Sequence, residues 1–300
     1  MAVRSLSARR NREGWTLVVP TVVVVTLVVV LPVLWNVVLA FQDLSLVTMR
    51  RTGLFGRFTL ENITGVFGSE RFWRSLWITT VYSVAATVGS IVVGLVAALA
   101  FRRPFPGRGL LRALMLLPYV APVVAVTFVW KVMLDGQSGI VNHWGTTYLG
   151  WDEPISFLGT RPYALITVIA FEIWRYFPFA FLFITARLLT VPRELEEAAT
   201  VDGASIWQTF RHVVLPQLSG VIALLAVLRV VMTFNKFDDV YLLTGGTAGT
   251  QVAAVRVIET LNTRFDIGAA AAEALALAAV LSVFLVLYVT YSRRVEGREE

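Results

Sequence analysis

The chain has 300 residues, of which 57% are hydrophobic and 15% charged, with a formal net charge of +6. Soluble domains carry nearer a quarter charged residues, so a mean hydropathy of +0.72 excludes a soluble globular protein. Cysteine is absent and the only histidines are His143 and His212, which removes disulfides, thiol nucleophiles and Cys- or His-rich metal centres.

A bilayer asks for about 20 apolar residues per helical span. Six stretches meet this, near residues 15–41, 76–101, 111–134, 163–188, 218–234 and 267–291. The expected fold class is an all-α polytopic membrane protein with six transmembrane helices. It divides into a cytoplasmic tail 1–14, one transmembrane domain 15–291 and a cytoplasmic tail 292–300. In such a protein the positive charge sets orientation and does not mark a nucleic-acid partner.

Arg4, Arg9, Arg10 and Arg12 precede the first span, with no small-residue cleavage site. That pattern predicts a cytoplasmic N-terminus and an uncleaved span. Trp15, Trp35 and Trp77 fit an interfacial belt. The long outer loop 42–74, with Gly53, Gly56, Gly65 and Gly68, is expected to form a short irregular or helical lid. It is itself basic (Arg50, Arg51, Arg57, Arg71, Arg74), which weakens the inside–outside charge bias. Arg102, Arg103, Pro104, Pro106 and Arg108 make a compact inner turn after the second span. Pro118 and Pro122 fall inside the third span, where freed carbonyls need neighbours or water. Lys131, near the outer end, is placed to snorkel.

The fourth span carries Glu172, Arg175, Tyr176 and Phe179 at spacings that share one helix face. The end of the fifth carries Arg229, Thr233 and Lys236, with Asp238, Asp239 and Tyr241 just beyond. Polar residues in spans face a cavity or one another. Two readings stay open: a solute pathway, or an internal salt-bridge network such as Glu172 with Arg175 or Arg229.

Between these spans lies a charged, Gly-centred loop, 190–216. Pro192, Glu194, Glu196 and Glu197 crowd the start of a short helix, where the dipole favours acids. Ala198 and Ala199 follow, Asp202 and Gly203 end it, and Ser205 after Ala204 caps a second helix that runs toward Leu215 and Pro216. Small alanines permit close backbone approach and Glu197 can pair with a partner's arginine. The loop reads as a docking surface rather than a connector.

The run Glu197-Ala-Ala-x-x-Asp202-Gly203-Ala204, with Phe210 and Leu215-Pro216 after it, resembles the EAA coupling loop of bacterial ATP-binding-cassette importer permeases. The flanks 184–192, 234–246 and 265–271 resemble the carbohydrate-uptake branch, of maltose and glycerol-3-phosphate type. The resemblance covers nearly the whole chain, from about residue 15 to 291. It implies the type I importer permease fold and a non-catalytic subunit that forms half of a translocation pathway for a sugar or sugar-like solute. The implied partners are a second homologous permease, in a heterodimer, two cytoplasmic ATPase subunits, an extracytoplasmic solute-binding protein and membrane lipid. No cofactor is implied for this chain; ATP and magnesium belong to the ATPase. Glu197, Ala198, Ala199, Asp202, Gly203, Ala204, Leu215 and Pro216 are the implied coupling residues. Glu172, Arg175, Tyr176, Phe179, Arg229, Thr233, Lys236 and Asp238 are the candidate pathway residues. Where the family continues Gly-Gly-Pro, this chain has Gly246-Thr247-Ala248-Gly249, and a softer outer gate loop is expected.

The charged candidates also suit a polyol, amino sugar, sugar acid or glycerol-phosphate compound. An ion-coupled carrier ranks lower, since no inverted repeat or broken helix pair is evident and the loop would go unexplained. A membrane-embedded enzyme would need clustered catalytic groups, and no P-loop occurs.

Overall fold

In the computed structural model, residues 15–192 and 194–296 are described, and the expected tail 1–14 lies outside them. The described chain is almost entirely helical. Five helices are long and apolar enough to cross a membrane, or six if one bent pair counts as a single crossing. By contact the chain divides into two compact units, 1–72 with 257–300, and 73–256.

The first unit opens with α1, Trp15–Ala40, whose valine-rich surface is exposed along most of its length. A two-residue hairpin follows, β1 Gln42–Asp43 against β2 Arg57–Phe58, which encloses α2, Leu46–Thr52. Ser45 starts α2 with a reciprocal capping box to Thr48. Next is α3, Glu61–Gly68. The expected lid is therefore mostly helical. Its anchor is Asn62, whose side-chain amide donates to Ala40 O at 3.2 Å and Gln42 O at 2.8 Å. The last helix, α13, Ile267–Glu296, packs on α1 and α3. It runs past the expected span end at 291.

The second unit holds most of α4, Glu70–Ala100, then α5, Arg108–Val120, α6, Val123–Met133, and α7, Ile140–Tyr148. The expected third span is broken: α5 and α6 meet at 96°. Proline chemistry accounts for the break. Pro118 has no N–H to give the preceding turn. Pro122 forces its predecessor out of the helical region, and Ala121 sits at φ −63°, ψ 142°. The fourth span is α8, Tyr163–Leu188, with the boundaries its hydropathy predicts. After α9, Glu194–Val201, a continuous helix α10, Ile206–Phe234, contains the fifth span. Two short helices close the unit, α11, Asp238–Thr244, and the start of α12, Ala253–Asn262.

Two apolar clusters hold this unit. One joins Ala97, Phe181, Ile184, Leu218 and Leu225 from α4, α8 and α10. The other joins Ile78, Tyr82, Phe171, Val240 and Leu243 from α4, α8 and α11. Gly94 lets α4 lie directly on α8: a Cβ there would sit 2.7 Å from Ala180 Cβ and 2.8 Å from Phe181 N. Glu172, Arg175 and Tyr176 fall between these clusters along α8, and the buried Ser83, Thr87 and Ser90 fall between them along α4.

Candidate functional site

The loop 190–216 forms the helix, glycine turn and helix that its sequence predicts. The first turn of α9 carries Glu194, Glu196 and Glu197, with favourable charge at the dipole's positive end. Gly203 takes φ +82°, a left-handed conformation that costs a residue with a Cβ about 1–2 kcal/mol. The amides of Asp202, Gly203 and Ala204 bond back to Ala198, Thr200 and Ala199 carbonyls and satisfy the end of the helix. Ser205 then caps α10 in a reciprocal box with Gln208.

One element differs from expectation. The second loop helix does not stop at Pro216 but runs unbroken into the fifth span. A π turn at Phe210–Val214 makes this possible. Pro216 has no N–H to serve the carbonyl four residues back, and the turn before it is widened, with Leu215 N bonded to Phe210 O. Leu215 and Pro216 therefore lie within a rod continuous with the membrane helix.

Glu197, Ala198, Asp202 and Gly203 are exposed, while Ala199, Ala204 and Leu215 are half-buried. The tip also exposes Val201 and Ile206, at 87% and 89%, beside Trp207. These apolar residues were not singled out in the sequence, where they look like ordinary helix positions. Glu196, which in the sequence is only one of the acids at the start of the helix, forms an ion pair with Arg102 of the α4–α5 turn.

The second candidate set converges inside the unit. Glu172 and Arg229 are fully buried and pair at 2.8 Å, with Thr233 Oγ1 at 3.5 Å from the same carboxylate oxygen. Of the two pairings the sequence left open for Glu172, the one with Arg229 forms. Arg175 Nε instead approaches Asp239 Oδ1 at 4.0 Å, and Lys236 Nζ lies 3.3 Å from Asp239 and 3.5 Å from Asp238. The Tyr176 ring faces three cations: the Arg229 guanidinium at 4.1 Å, Lys236 Nζ at 4.5 Å and the Arg175 guanidinium at 5.8 Å. Each gains from the negative face of the ring, and Lys236 also donates to the Tyr176 hydroxyl. Tyr119 of α5 packs edge-on against Tyr176 and tilts against Phe179.

Asp239 and Tyr82 complete this cluster; both are fully buried, and Tyr82 faces Glu172. In the sequence Asp239 is placed only as lying just beyond the fifth span and Tyr82 carries no signal, because helical spacing links residues on one helix and these two come from other elements. Several polar atoms have no hydrogen-bond partner, including Glu172 Oε2, Arg175 Nη1, Arg229 Nε and both Asp239 carboxylate oxygens. Such atoms are costly when dry. Among the described residues no group of three or more His, Cys, Asp or Glu is placed to hold a metal ion.

Beyond α11 lies the turn where a softer loop is expected. It is cross-tied by threonines: Thr247 Oγ1 donates to Thr244 O and Thr250 Oγ1 to Thr247 O, both at 2.7 Å, and the Thr244 and Thr250 hydroxyls meet at 2.6 Å.

Residues 90–297, which include the loop 190–216 and the candidate pathway residues, match the family described as binding-protein-dependent transport system inner membrane component. The chain belongs to that family. The permease is 34% identical over 278 residues to the Escherichia coli inner membrane ABC transporter permease protein YcjO, with 92% of each chain covered. It is 29% identical to the trehalose/maltose transport system permease MalF of Thermococcus litoralis, over 84% of each. Its fold matches that of a bacterial alginate ABC transporter crystallised with a periplasmic protein bound to an alginate pentasaccharide. That match has a TM-score of 0.81 at 20% identity, over 96% of each chain. The permease is thus a multi-pass protein of the cytoplasmic membrane and the non-catalytic membrane component of a binding-protein-dependent ABC importer.

Proposed function

We propose that this permease imports a sugar or sugar-like solute, forming half of the translocation pathway and taking its drive from a cytoplasmic ATPase at loop 190–216. The observation that carries the coupling role is the capped, glycine-turned helix pair with exposed Glu197, rigidly continuous through the π turn with the fifth span. A push on the loop is carried along α10 to Arg229 and Thr233. Residues 15–291 act as one transmembrane domain with both termini cytoplasmic. The partners are a second permease, two ATPases that hold ATP and magnesium, and an extracytoplasmic binding protein; this chain binds no cofactor itself.

The sugar class is supported by relatives named for trehalose and maltose transport. The pathway residues are Glu172, Arg175, Tyr176, Phe179, Arg229, Thr233, Lys236 and Asp238. In the isolated chain their charges are largely turned on one another, so solute entry involves exchange of these internal pairs for solute hydroxyls. A second reading, a charged sugar such as a sugar acid, draws on the three cations gathered at Tyr176. Uptake of labelled solute into vesicles, with trehalose, maltose and a uronic acid as competitors, tests both. Competition by the neutral disaccharides supports the first reading and competition by the acid alone the second. Inhibition by no sugar at all would remove the carbohydrate assignment.

A further inference from the structure

An apolar groove of about 890 Å³ opens beside the coupling loop, within the second unit. One wall is the end of α4, through Val92, Leu95, Val96 and Leu99; the other is the start of α10, through Trp207 and Phe210. Arg102, Arg103 and Glu196, where α4 gives way to the turn after it, also line the groove. Glu196 is neutralised by its ion pair with Arg102. Arg103 is exposed and forms no ion pair among the described residues. Arg108 and Arg112 stand close by in sequence, and the Nε of each is buried without a hydrogen-bond partner. Arg102 and Arg108 also line a smaller neighbouring cavity of about 110 Å³. This end of the groove therefore carries uncompensated positive charge.

We infer that the groove binds one anionic phospholipid of the adjoining leaflet, its acyl chain along α4 and its phosphate at Arg103 and Arg102. The order of the chemistry favours this occupant. Val92, Val96 and Leu99 belong to a membrane-spanning helix and so lie at hydrocarbon depth, while the arginines follow directly where that helix ends, at headgroup level. Apolar at depth and basic at the rim is the sequence of polarity that a phospholipid presents. Basic pockets between membrane helices take anionic headgroups for this reason. Trp207, 65% exposed at the rim, is a residue suited to the membrane interface. The size falls within the range of sites that enclose small molecules, roughly 300–1,000 Å³. The lipid would brace the loop against the membrane, whichever solute is carried.

The test uses the intact complex in nanodiscs that contain phosphatidylglycerol or phosphatidylcholine, each with a photoactivatable acyl chain. Phosphatidylglycerol should label the peptides covering 92–103 and 204–214 several-fold more than phosphatidylcholine. Arg103→Gln should reduce that preference to near unity, Arg103→Lys should retain it, and Leu95→Trp, which fills the groove, should reduce labelling by both lipids. Equal labelling by the two lipids, or a preference unchanged in Arg103→Gln, would overturn the proposal. So would groove peptides that stay unlabelled by lipid but cross-link to another subunit.

Discussion

At the residue scale, the Glu172–Arg229 pair governs the account of the polar interior. Both side chains are fully buried at 2.8 Å separation, so each charge depends on the other for its solvation. Breaking a buried pair by removing one partner costs about 3–5 kcal/mol, whereas replacing both by apolar groups is often far cheaper. Arg229→Met should therefore lower the thermal stability of the purified complex sharply, and adding Glu172→Leu should restore much of the loss. Additive losses in the double variant would mean that the two charges do not lean on each other. Helical spacing revealed that Glu172, Arg175 and Tyr176 share a face, and charge identified Arg229 and Lys236 as their counterparts. It did not choose the pairing, since Arg175 is three residues from Glu172 yet faces Asp239. The choice is made by the approach of α10 and α11 to α8, which is tertiary. Glu196 teaches the same lesson. Within its own helix it looks like one more first-turn acid, and only the fold brings Arg102 to it.

At the scale of elements, apolar length alone located the fourth span, because Tyr163–Leu188 is bounded by loops with no helical continuation. The third and fifth spans show where hydropathy is insufficient. Pro118 and Pro122 are visible in the sequence as prolines that free carbonyls inside a span, but the 96° bend depends on Ala121 becoming extended between two helices. Pro216 looked like a stop, yet the π turn absorbs it and the helix continues. Backbone rules name the site of a perturbation; packing decides whether a helix breaks there or rewinds. The contact of α4 with α8 rests on Gly94, which has no room for a side chain. Gly94→Leu should destabilise the permease by about 1–3 kcal/mol through overpacking, read as a lower melting temperature in detergent. An unchanged melting temperature would show that these helices can part at no cost.

For the molecule as a whole, composition gave the membrane class, and the loop 190–216 gave the family, because a capped helix pair with alanines and a left-handed glycine has little reason to exist except to meet another protein. The solute is far less legible. The residues that would contact it are mutually paired in this chain, so their types report the cost of burying charge as much as the chemistry of a ligand. The coupling role is different, since it makes a demand on energy flow that can be measured directly. The exposed carboxylate of Glu197 and the left-handed turn at Gly203 are the two features on which it stands. The most direct measurement is ATP hydrolysis by the complex reconstituted in lipid with its loaded binding protein, comparing wild type with Glu197→Ala and Gly203→Pro. The account predicts that, in complexes whose permease remains folded, solute-stimulated hydrolysis collapses or the ATPase subunits dissociate. Full assembly and undiminished stimulation in both variants would contradict it.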